Sequence, residues 1–277
     1  MKYLKFIVIV LLFNINPVVS ASATAQDAQL TPAEAQEAQK ISESFTDRFL
    51  ETGDLTPIVN DLYVNDFIER YKIQIRNALA DEGGSQSSIN FVPGLDYDPR
   101  LLAQASSEEW RRFYIASHNF LLFGLFSSLN KLSLEKLSHN SENTGDIKST
   151  DLYPPSVIEL LDQNPNLANM IKKKGPSKAI STPEEMRNAT ATLEQAVAVM
   201  REQQAGKSLR TEKYQQWARL VKMTDVVKPH LEITDGDFNF PKGTRVITID
   251  TPFLVQLLLV KGDNGLRILW ARPDPGD

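Results

Sequence analysis

Few side chains in this sequence could act as catalytic groups, and among them one histidine has the surroundings that best suit such a role. His118 stands in a long apolar stretch, with Tyr114, Ile115, Leu121 and Leu122 within one helical turn of it. Burial there would lower the pKa of the imidazole and keep it neutral, as a general base requires. A core histidine that only bonds a backbone carbonyl is the alternative, and it is the interpretation we favour.

Carboxylates cluster earlier in the chain, and one of them is a candidate for a site. The cluster consists of Asp54, Asp61, Asp66 and Glu69. Most of these are expected to cap short helices or to face solvent. Asp66 follows Tyr63 by three residues and directly precedes Phe67, so a carboxylate and a tyrosine hydroxyl could share one surface. The candidate catalytic residues are therefore His118, Asp66, Tyr63 and Tyr114.

Motifs of established catalytic mechanisms are absent from the sequence. There is no G-x-S-x-G nucleophile motif, no glycine-rich phosphate loop and no H-E-x-x-H zinc motif. Asp235–Asn239 begins like a calcium-binding loop, but Phe240 and Val246 stand where that loop needs glycine and glutamate. A turn between strands is the better interpretation. The sequence therefore predicts no metal site and no cofactor.

Composition and charge restrict the kinds of partner. The chain has 277 residues, of which 42% are hydrophobic and 23% charged, as in a globular protein. It contains no cysteine, which excludes disulfides, thiolate catalysis and cysteine zinc sites. The net charge is −5, and loss of the first two lysines would make it −7. This charge argues against nucleic acid or an anionic membrane surface as partner.

The first 25 residues have the organisation of a secretory signal peptide. Lys2 and Lys5 precede the apolar run Phe6–Phe13, and small residues at 21–25 offer cleavage sites. The run is far shorter than the ~20 apolar residues that cross a bilayer, although an uncleaved anchor is the alternative. We expect residues 26–277 to form a single domain without a transmembrane segment, periplasmic or secreted from a bacterium.

Most of the chain is predicted to be helical. Thr31-Pro32-Ala33-Glu34 is typical of a helix start with a capping box. Ser106-Ser107-Glu108-Glu109 precedes the most apolar helix, Trp110–Leu129, whose apolar residues nearly surround it. Such a helix belongs at the centre of a core. We expect it to pack on a C-terminal hairpin, with contacts among Phe113, Phe120, Leu257, Leu259 and Trp270.

Strand character is concentrated at the C-terminus. The apolar runs Thr244–Asp250, Phe253–Lys261 and Leu266–Arg272 follow one another, and the last two are joined either by a two-residue loop, Asn264-Gly265, or by a four-residue loop, Gly262–Gly265. Simple alternation places Leu257, Leu259 and Trp270 on one face of this hairpin. The predicted fold class is α+β, predominantly helical with a C-terminal antiparallel β-hairpin or small sheet.

Three segments between these elements complete the prediction. Phe91–Leu102 contains two prolines and a glycine and is predicted to be irregular. Residues 138–150 are rich in serine and asparagine and are predicted to form a polar loop. Asn164–Lys174 is predicted to be a short helix closed by its lysines.

Two segments resemble the NTF2-like (SnoaL-like) domains. Phe49–Phe67, FLETGDLTPIVNDLYVNDF, is similar to their opening: a long helix, a Gly-Asp step, a short helix and an apolar-x-Asp-Phe entry into the next element. Arg245–Ala271 is similar to their curved closing strands. Residues 65–204 would then be a large helical insertion in an NTF2-like cone. The resemblance implies that Tyr63 and Asp66 lie near the cavity, in a family of both enzymes and non-enzymatic binders.

Two hypotheses about function follow. The leading one is an exported bacterial protein with a non-catalytic binding or envelope-associated role, because catalytic motifs are missing. The alternative is an NTF2-like small-molecule enzyme or ligand binder with a pocket near Tyr63, Asp66, Tyr114 and His118. An open pocket with convergent polar groups would favour the alternative, and a filled core would favour the first.

Export with cleavage gives the first testable prediction. We expect the mature protein to begin near Thr24 or Gln26, because the small residues a signal peptidase accepts lie just before them. N-terminal sequencing of protein isolated from the native host measures this directly. An intact Met1 in the cytoplasmic fraction would contradict the prediction.

Overall fold

The computed structural model describes residues 29–73, 89–92, 95–98, 100–131, 153–170, 178–204, 209–223, 228–233, 244–251 and 255–273. The predicted signal peptide, the polar loop at 138–150 and the turn at 235–239 lie outside these residues. The described part is predominantly helical and ends in a four-stranded antiparallel sheet. The predicted α+β class is confirmed.

Eight helices and six strands occur in the described part. The helices are α1 (Pro32–Thr52), α2 (Thr56–Leu62), α3 (67–73), α4 (Leu101–Gln104), α5 (Ser107–Lys131), α6 (Pro155–Asp162), α7 (Pro183–Gln203) and α8 (Glu212–Met223). The strands are β1 (Ile89–Val92), β2 (Leu95–Tyr97), β3 (His230–Ile233), β4 (Arg245–Asp250), β5 (Val255–Gly262) and β6 (Gly265–Pro273). β1 and β2 form a hairpin, and β3 to β6 form the sheet in sequence order.

Local caps determine where the long helices begin and end. The Thr31 hydroxyl accepts the Glu34 N–H at 3.2 Å, and the Glu34 carboxylate accepts the Thr31 N–H at 2.9 Å. Ser106 and Glu109 form the same capping box at the start of α5. Gly53 ends α1 in the left-handed region at φ 59°. Both helix starts agree with the sequence predictions.

Two local predictions are wrong. Phe91–Leu102 is not irregular, because most of its described residues belong to the β1–β2 hairpin and to α4. The strands are too short to show a long alternating pattern. Asn164–Lys174 is a 3₁₀ turn at Ala168–Met170 within its described part. The Asn164 side chain accepts the N–H of Asn166 at 3.0 Å, a local bond that competes with helix formation.

The turn of the β5–β6 hairpin differs from both predicted loops, and the register of its strands is more irregular than alternation predicts. Gly262 pairs with Gly265, so Asp263-Asn264 is the two-residue turn. Farther along, Leu259 pairs with Ile268 while Leu258 pairs with Trp270. The intervening Leu269 is an extra residue, a β-bulge. The bulge moves Trp270 to the face opposite Leu257 and Leu259, so its predicted face is wrong.

Helix α5 is buried, but its main neighbour is α7 rather than the hairpin. Buried alanines, Ala116 on α5 and Ala189 and Ala196 on α7, suit a close approach of two helices. Phe113 packs edge-on against Tyr97, and Phe120 stacks on Tyr153 with centroids 4.8 Å apart. The contacts found for these phenylalanines are therefore with β2 and with the residue that precedes α6, rather than with the β5–β6 hairpin as expected.

Truncation of Phe120 tests the central place of α5. Its side chain is 1% exposed, so Phe120→Ala removes buried contacts and leaves a cavity. We expect a loss of about 3–5 kcal/mol in the free energy of unfolding, measured by urea denaturation. The control Glu202→Ala, at an exposed position near the end of α7, should change it by less than about 0.5 kcal/mol. Equal effects of the two substitutions would contradict this account.

Candidate functional site

Tyr114 occupies the centre of a buried polar cluster between α5 and β6. Its hydroxyl accepts the backbone N–H of Ala271 at 3.3 Å. It also lies 3.4 Å from the hydroxyl of Tyr63, within hydrogen-bonding distance. Both tyrosines are at most 3% exposed. Two candidate residues far apart in the sequence therefore meet inside the protein.

The end of α2 places Tyr63 in this cluster. The backbone becomes extended at Tyr63, and the Val64 N–H donates to the Ile268 carbonyl at 2.9 Å. Residues 63 and 64 thus cover part of the outer edge of β6, which would otherwise leave polar groups without partners. Phe67 and Tyr71 pack edge-on against Tyr114, with centroids 5.3 and 5.5 Å away. Aromatic side chains therefore fill the space around the two hydroxyls.

His118 joins the cluster through its ring and through a backbone hydrogen bond. The imidazole stacks on Tyr114 with centroids 3.9 Å apart, and Nδ1 lies 2.8 Å from the Tyr114 carbonyl oxygen. Burial lowers the pKa of His118 to about 4, although hydrogen bonds to the backbone of Tyr114 and Ala271 oppose the shift. The side chain is partly rather than fully enclosed. Its partner is a carbonyl, as the favoured interpretation predicts.

The hydroxyls of the cluster are poor acids. Burial raises the pKa of Tyr114 to about 12, against smaller opposing effects of Tyr63 and the Ala271 backbone. Burial and the neighbouring Tyr114 hold the pKa of Tyr63 well above its usual value. Both groups therefore remain protonated near neutral pH, where His118 is neutral. The hydroxyls are engaged in fixed hydrogen bonds, and a pKa of about 4 makes the neutral imidazole of His118 a weak base.

Asp66 does not join the other three candidates. Its carboxylate pairs with Arg70 at 2.9 Å, one turn along the same segment, and its side chain is 54% exposed. Such an exposed pair contributes little to stability. The structure thus brings together Tyr63, Tyr114 and His118 and leaves the only carboxylate of the predicted set outside.

A second feature, which the sequence analysis did not identify, is a groove of about 610 Å³ between α2, α5 and α7. We call it the arginine groove. Its lining residues on α5 follow helical spacing, and those on α7 do the same. The lining consists of Asp54, Thr56, Asn60, Glu108, Arg111, Arg112, Ile115, Ala116, Asn119, Glu194, Val197 and Arg201. The signal in the sequence was the polar stripe on the otherwise apolar α5.

A buried amide closes one end of the arginine groove. Asn119 accepts the Leu55 N–H at 2.8 Å and donates to the Asp54 carboxylate at 3.2 Å. Asp54 also accepts the N–H and hydroxyl of Thr56 at 2.9 and 2.8 Å. Partial burial acts to raise the pKa of Asp54, but these hydrogen bonds and Arg201 outweigh it and the pKa lies below the ordinary value. This end is rigid and its carboxylate stays ionised.

The charged groups along the groove differ in how completely they are paired. Arg112 makes two hydrogen bonds with Glu194, at 2.7 and 2.6 Å. Arg201 donates to the Gly53 carbonyl at 3.1 Å and lies 3.6 Å from Asp54. Among the described residues, Arg111 has no carboxylate within ion-pairing distance. The groove therefore contains neutralised pairs beside one cation that retains capacity to bind.

Comparison with known proteins assigns no family to this chain. No family model, no curated protein and no solved structure matches it. Within the described ranges, no three histidine, aspartate or glutamate side chains are placed to hold a metal ion. None of the helices in those ranges is long and apolar enough to cross a membrane.

Acid titration tests the environment of His118. An unfolded histidine binds a proton near pH 6.5, whereas the folded protein does so only near pH 4. The unfolded state is therefore favoured progressively as the pH falls between these values. We expect His118→Asn to flatten the loss of stability from pH 6.5 to 4.5, measured by urea denaturation. The control His230→Asn, on exposed β3, should keep the wild-type slope; a wild-type slope in both variants would contradict the assignment.

Proposed function

We propose that this protein is an exported, envelope-associated binding protein without catalytic activity. The observation that supports the proposal best is the filling of the Tyr63–Tyr114–His118 cluster by aromatic side chains. Its polar atoms bond one another or the backbone, and Asp66 is engaged by Arg70 on the exterior. Nucleophilic or acid–base chemistry needs a reachable group with a suitable partner. Export is supported by the first 25 residues alone.

The arginine groove is the surface that we assign to binding. Its volume of about 610 Å³ lies in the range of small-molecule sites, and polar groups from three helices converge on it. It contains neither histidine nor cysteine. Asp54 stays ionised because its pKa is lowered, so it cannot act as a general acid near neutral pH. These properties suit recognition of a charged ligand.

An NTF2-like ligand binder or enzyme is the second candidate function. The observation in its favour is the contact of Val64 with Ile268, because it joins the two segments that carry the resemblance. A ligand of that kind would need the space next to Tyr63, Tyr114 and His118. The two functions therefore place the ligand on different faces of α5.

Native mass spectrometry of protein purified from its own host can separate these functions. We expect a bound mass in the wild type and its loss in Asn60→Trp, because the indole would fill the groove from an exposed wall position. Asn188→Trp makes the same change at an exposed position of α7 outside the groove, and should keep the mass.

His118→Asn provides the opposite arm of this experiment. The bound mass should persist in it, since the cluster is assigned a structural role. Loss of the mass in His118→Asn with retention in Asn60→Trp would favour the second function. A wild-type protein that carries no bound mass would contradict the proposed binding function.

A further inference from the structure

We infer that the arginine groove binds a small zwitterion, a molecule that carries one carboxylate and one ammonium group, such as a free amino acid or a short peptide. The inference rests on the proposed binding function and adds the chemical class of the ligand. Three observations support it: the spare hydrogen-bonding capacity of Arg111, an exposed acid one helical turn away that forms no ion pair within the described residues, and the apolar floor between them and the closed end.

Arg111 is positioned to receive a carboxylate. Its guanidinium donates to the Asn60 side-chain oxygen and lies 5.8 Å from the centroid of the Phe67 ring. A guanidinium has five N–H donors in a planar fork, and most of these have no partner within the described part of the chain. The amide and the ring hold the group in place without neutralising its charge. A held, un-neutralised guanidinium matches a carboxylate through two parallel hydrogen bonds.

Glu108 is positioned to receive the ammonium group. It lies three residues before Arg111, so their side chains emerge as neighbours on the same face of α5. No cation of the described residues lies within ion-pairing distance of its carboxylate, in contrast to Glu109, which pairs with Arg187 at 2.6 Å. The acid and the base thus face the groove without pairing with each other.

The balance of charges selects a zwitterion over a simple anion. The groove contains three arginines and three carboxylates, so its formal net charge is zero. Arg112 offsets Glu194 and Arg201 offsets Asp54, so a dianion such as phosphate would meet the attraction of Arg111 and the repulsion of Glu108 and would add two negative charges to a groove of zero net charge. A ligand with one charge of each sign adds no net charge. It can engage both the Arg111 guanidinium and the Glu108 carboxylate, which forms no ion pair within the described residues and interacts with Arg112 only at longer range.

The floor of the groove suits the uncharged part of such a ligand. Ile115, Ala116 and Val197 are the apolar lining residues, and they lie between the charged rim and the fixed Asn119 end. Ala116 and Val197 are each 3% exposed, so they form a shallow surface that belongs to the helix packing. An aliphatic side chain placed there would lose contact with water. The volume exceeds that of one amino acid and leaves room for a short peptide.

Isothermal titration calorimetry with the full mature chain tests the inference. The probes are the twenty free L-amino acids, the dipeptides Ala-Leu and Leu-Leu, and acetate and methylamine as single-charge compounds. We expect at least one zwitterion to bind, and to bind at least tenfold more tightly than acetate or methylamine. Comparison of amino acids with dipeptides then identifies the source of the zwitterion.

Chemically blocked ligands and charge variants of the protein test which side chain binds each charged group of the zwitterion. C-terminal amidation of the best probe should weaken binding to the wild type at least tenfold, and Arg111→Gln should abolish that difference. N-acetylation of the probe should likewise weaken binding to the wild type at least tenfold, and Glu108→Gln should abolish that difference. The controls Arg219→Gln on α8 and Glu202→Gln on α7 are exposed and outside the groove, and they should bind like the wild type.

Three results would overturn the inference. They are the absence of binding by every zwitterion, equal binding of acetate and the best zwitterion, and wild-type affinity in Arg111→Gln and Glu108→Gln. Failure of the broader proposal is distinguishable, because it is judged by the mass bound to protein from the native host. If native protein carries a bound mass that Asn60→Trp removes, but the protein binds no zwitterion, the ligand class is refuted and the proposed binding function is retained.

Discussion

The hydrogen bond from the Ala271 N–H to the Tyr114 hydroxyl connects the helical part of the protein to its sheet. β6 is the last strand of the sheet in the described residues, and Ala271 directs its N–H away from β5. A buried N–H without a partner costs about 1–3 kcal/mol. Tyr114 supplies that partner from the first half of α5, where Phe67 and Tyr71 pack against its ring. Tyr63 and His118 lie beside the same hydroxyl and ring: the Tyr63 hydroxyl is 3.4 Å from that of Tyr114, and the imidazole stacks on the Tyr114 ring.

The two polar regions of α5 differ in a way that bears on function. Around Tyr114, hydroxyls and imidazole are satisfied by one another and by backbone groups, and aromatic rings fill the remaining space. In the arginine groove, Asn119, Asp54 and Arg201 are similarly engaged, but within the described ranges neither the Arg111 guanidinium nor the Glu108 carboxylate forms an ion pair. A protein can satisfy a buried polar group for stability alone. The arginine groove is open and leaves most N–H donors of Arg111 without a partner among the described residues, which is why we assign binding to it.

The sequence predicted the parts of this structure that depend on neighbouring residues. Helix caps depend only on residues within one turn, so they could be recognised in the sequence. The examples are the capping boxes at Thr31 and Ser106 and the end of α1 at Gly53. The burial of α5 followed from its apolar composition. The β-bulge at Leu269 could not be predicted in this way, because the alternation of side chains along a strand carries no sign of an extra residue. It changed the face assigned to Trp270.

The candidate site was only partly predictable, because some of its contacts join parts of the chain that are distant in sequence. Tyr114 and His118 lie one turn apart, so their proximity was evident, but the approach of Tyr63 depends on how β6 pairs with the end of α2. Asp66 was expected beside Tyr63, yet it lies just before α3 and its carboxylate pairs with Arg70 of that helix. The arginine groove combines three helices that are far apart in the chain. Its residues were visible in the sequence, and their convergence was not.

Amide hydrogen exchange at Ala271, followed by NMR, tests the central claim that Tyr114 anchors the sheet and has no part in a reaction. In the wild type this amide should exchange as slowly as the amides bonded within the β5–β6 ladder. Tyr114→Phe keeps the ring and removes the hydroxyl, so it should expose the Ala271 amide to exchange while the protein remains folded. Rapid exchange of Ala271 in the wild type, or unchanged protection in Tyr114→Phe, would contradict the account.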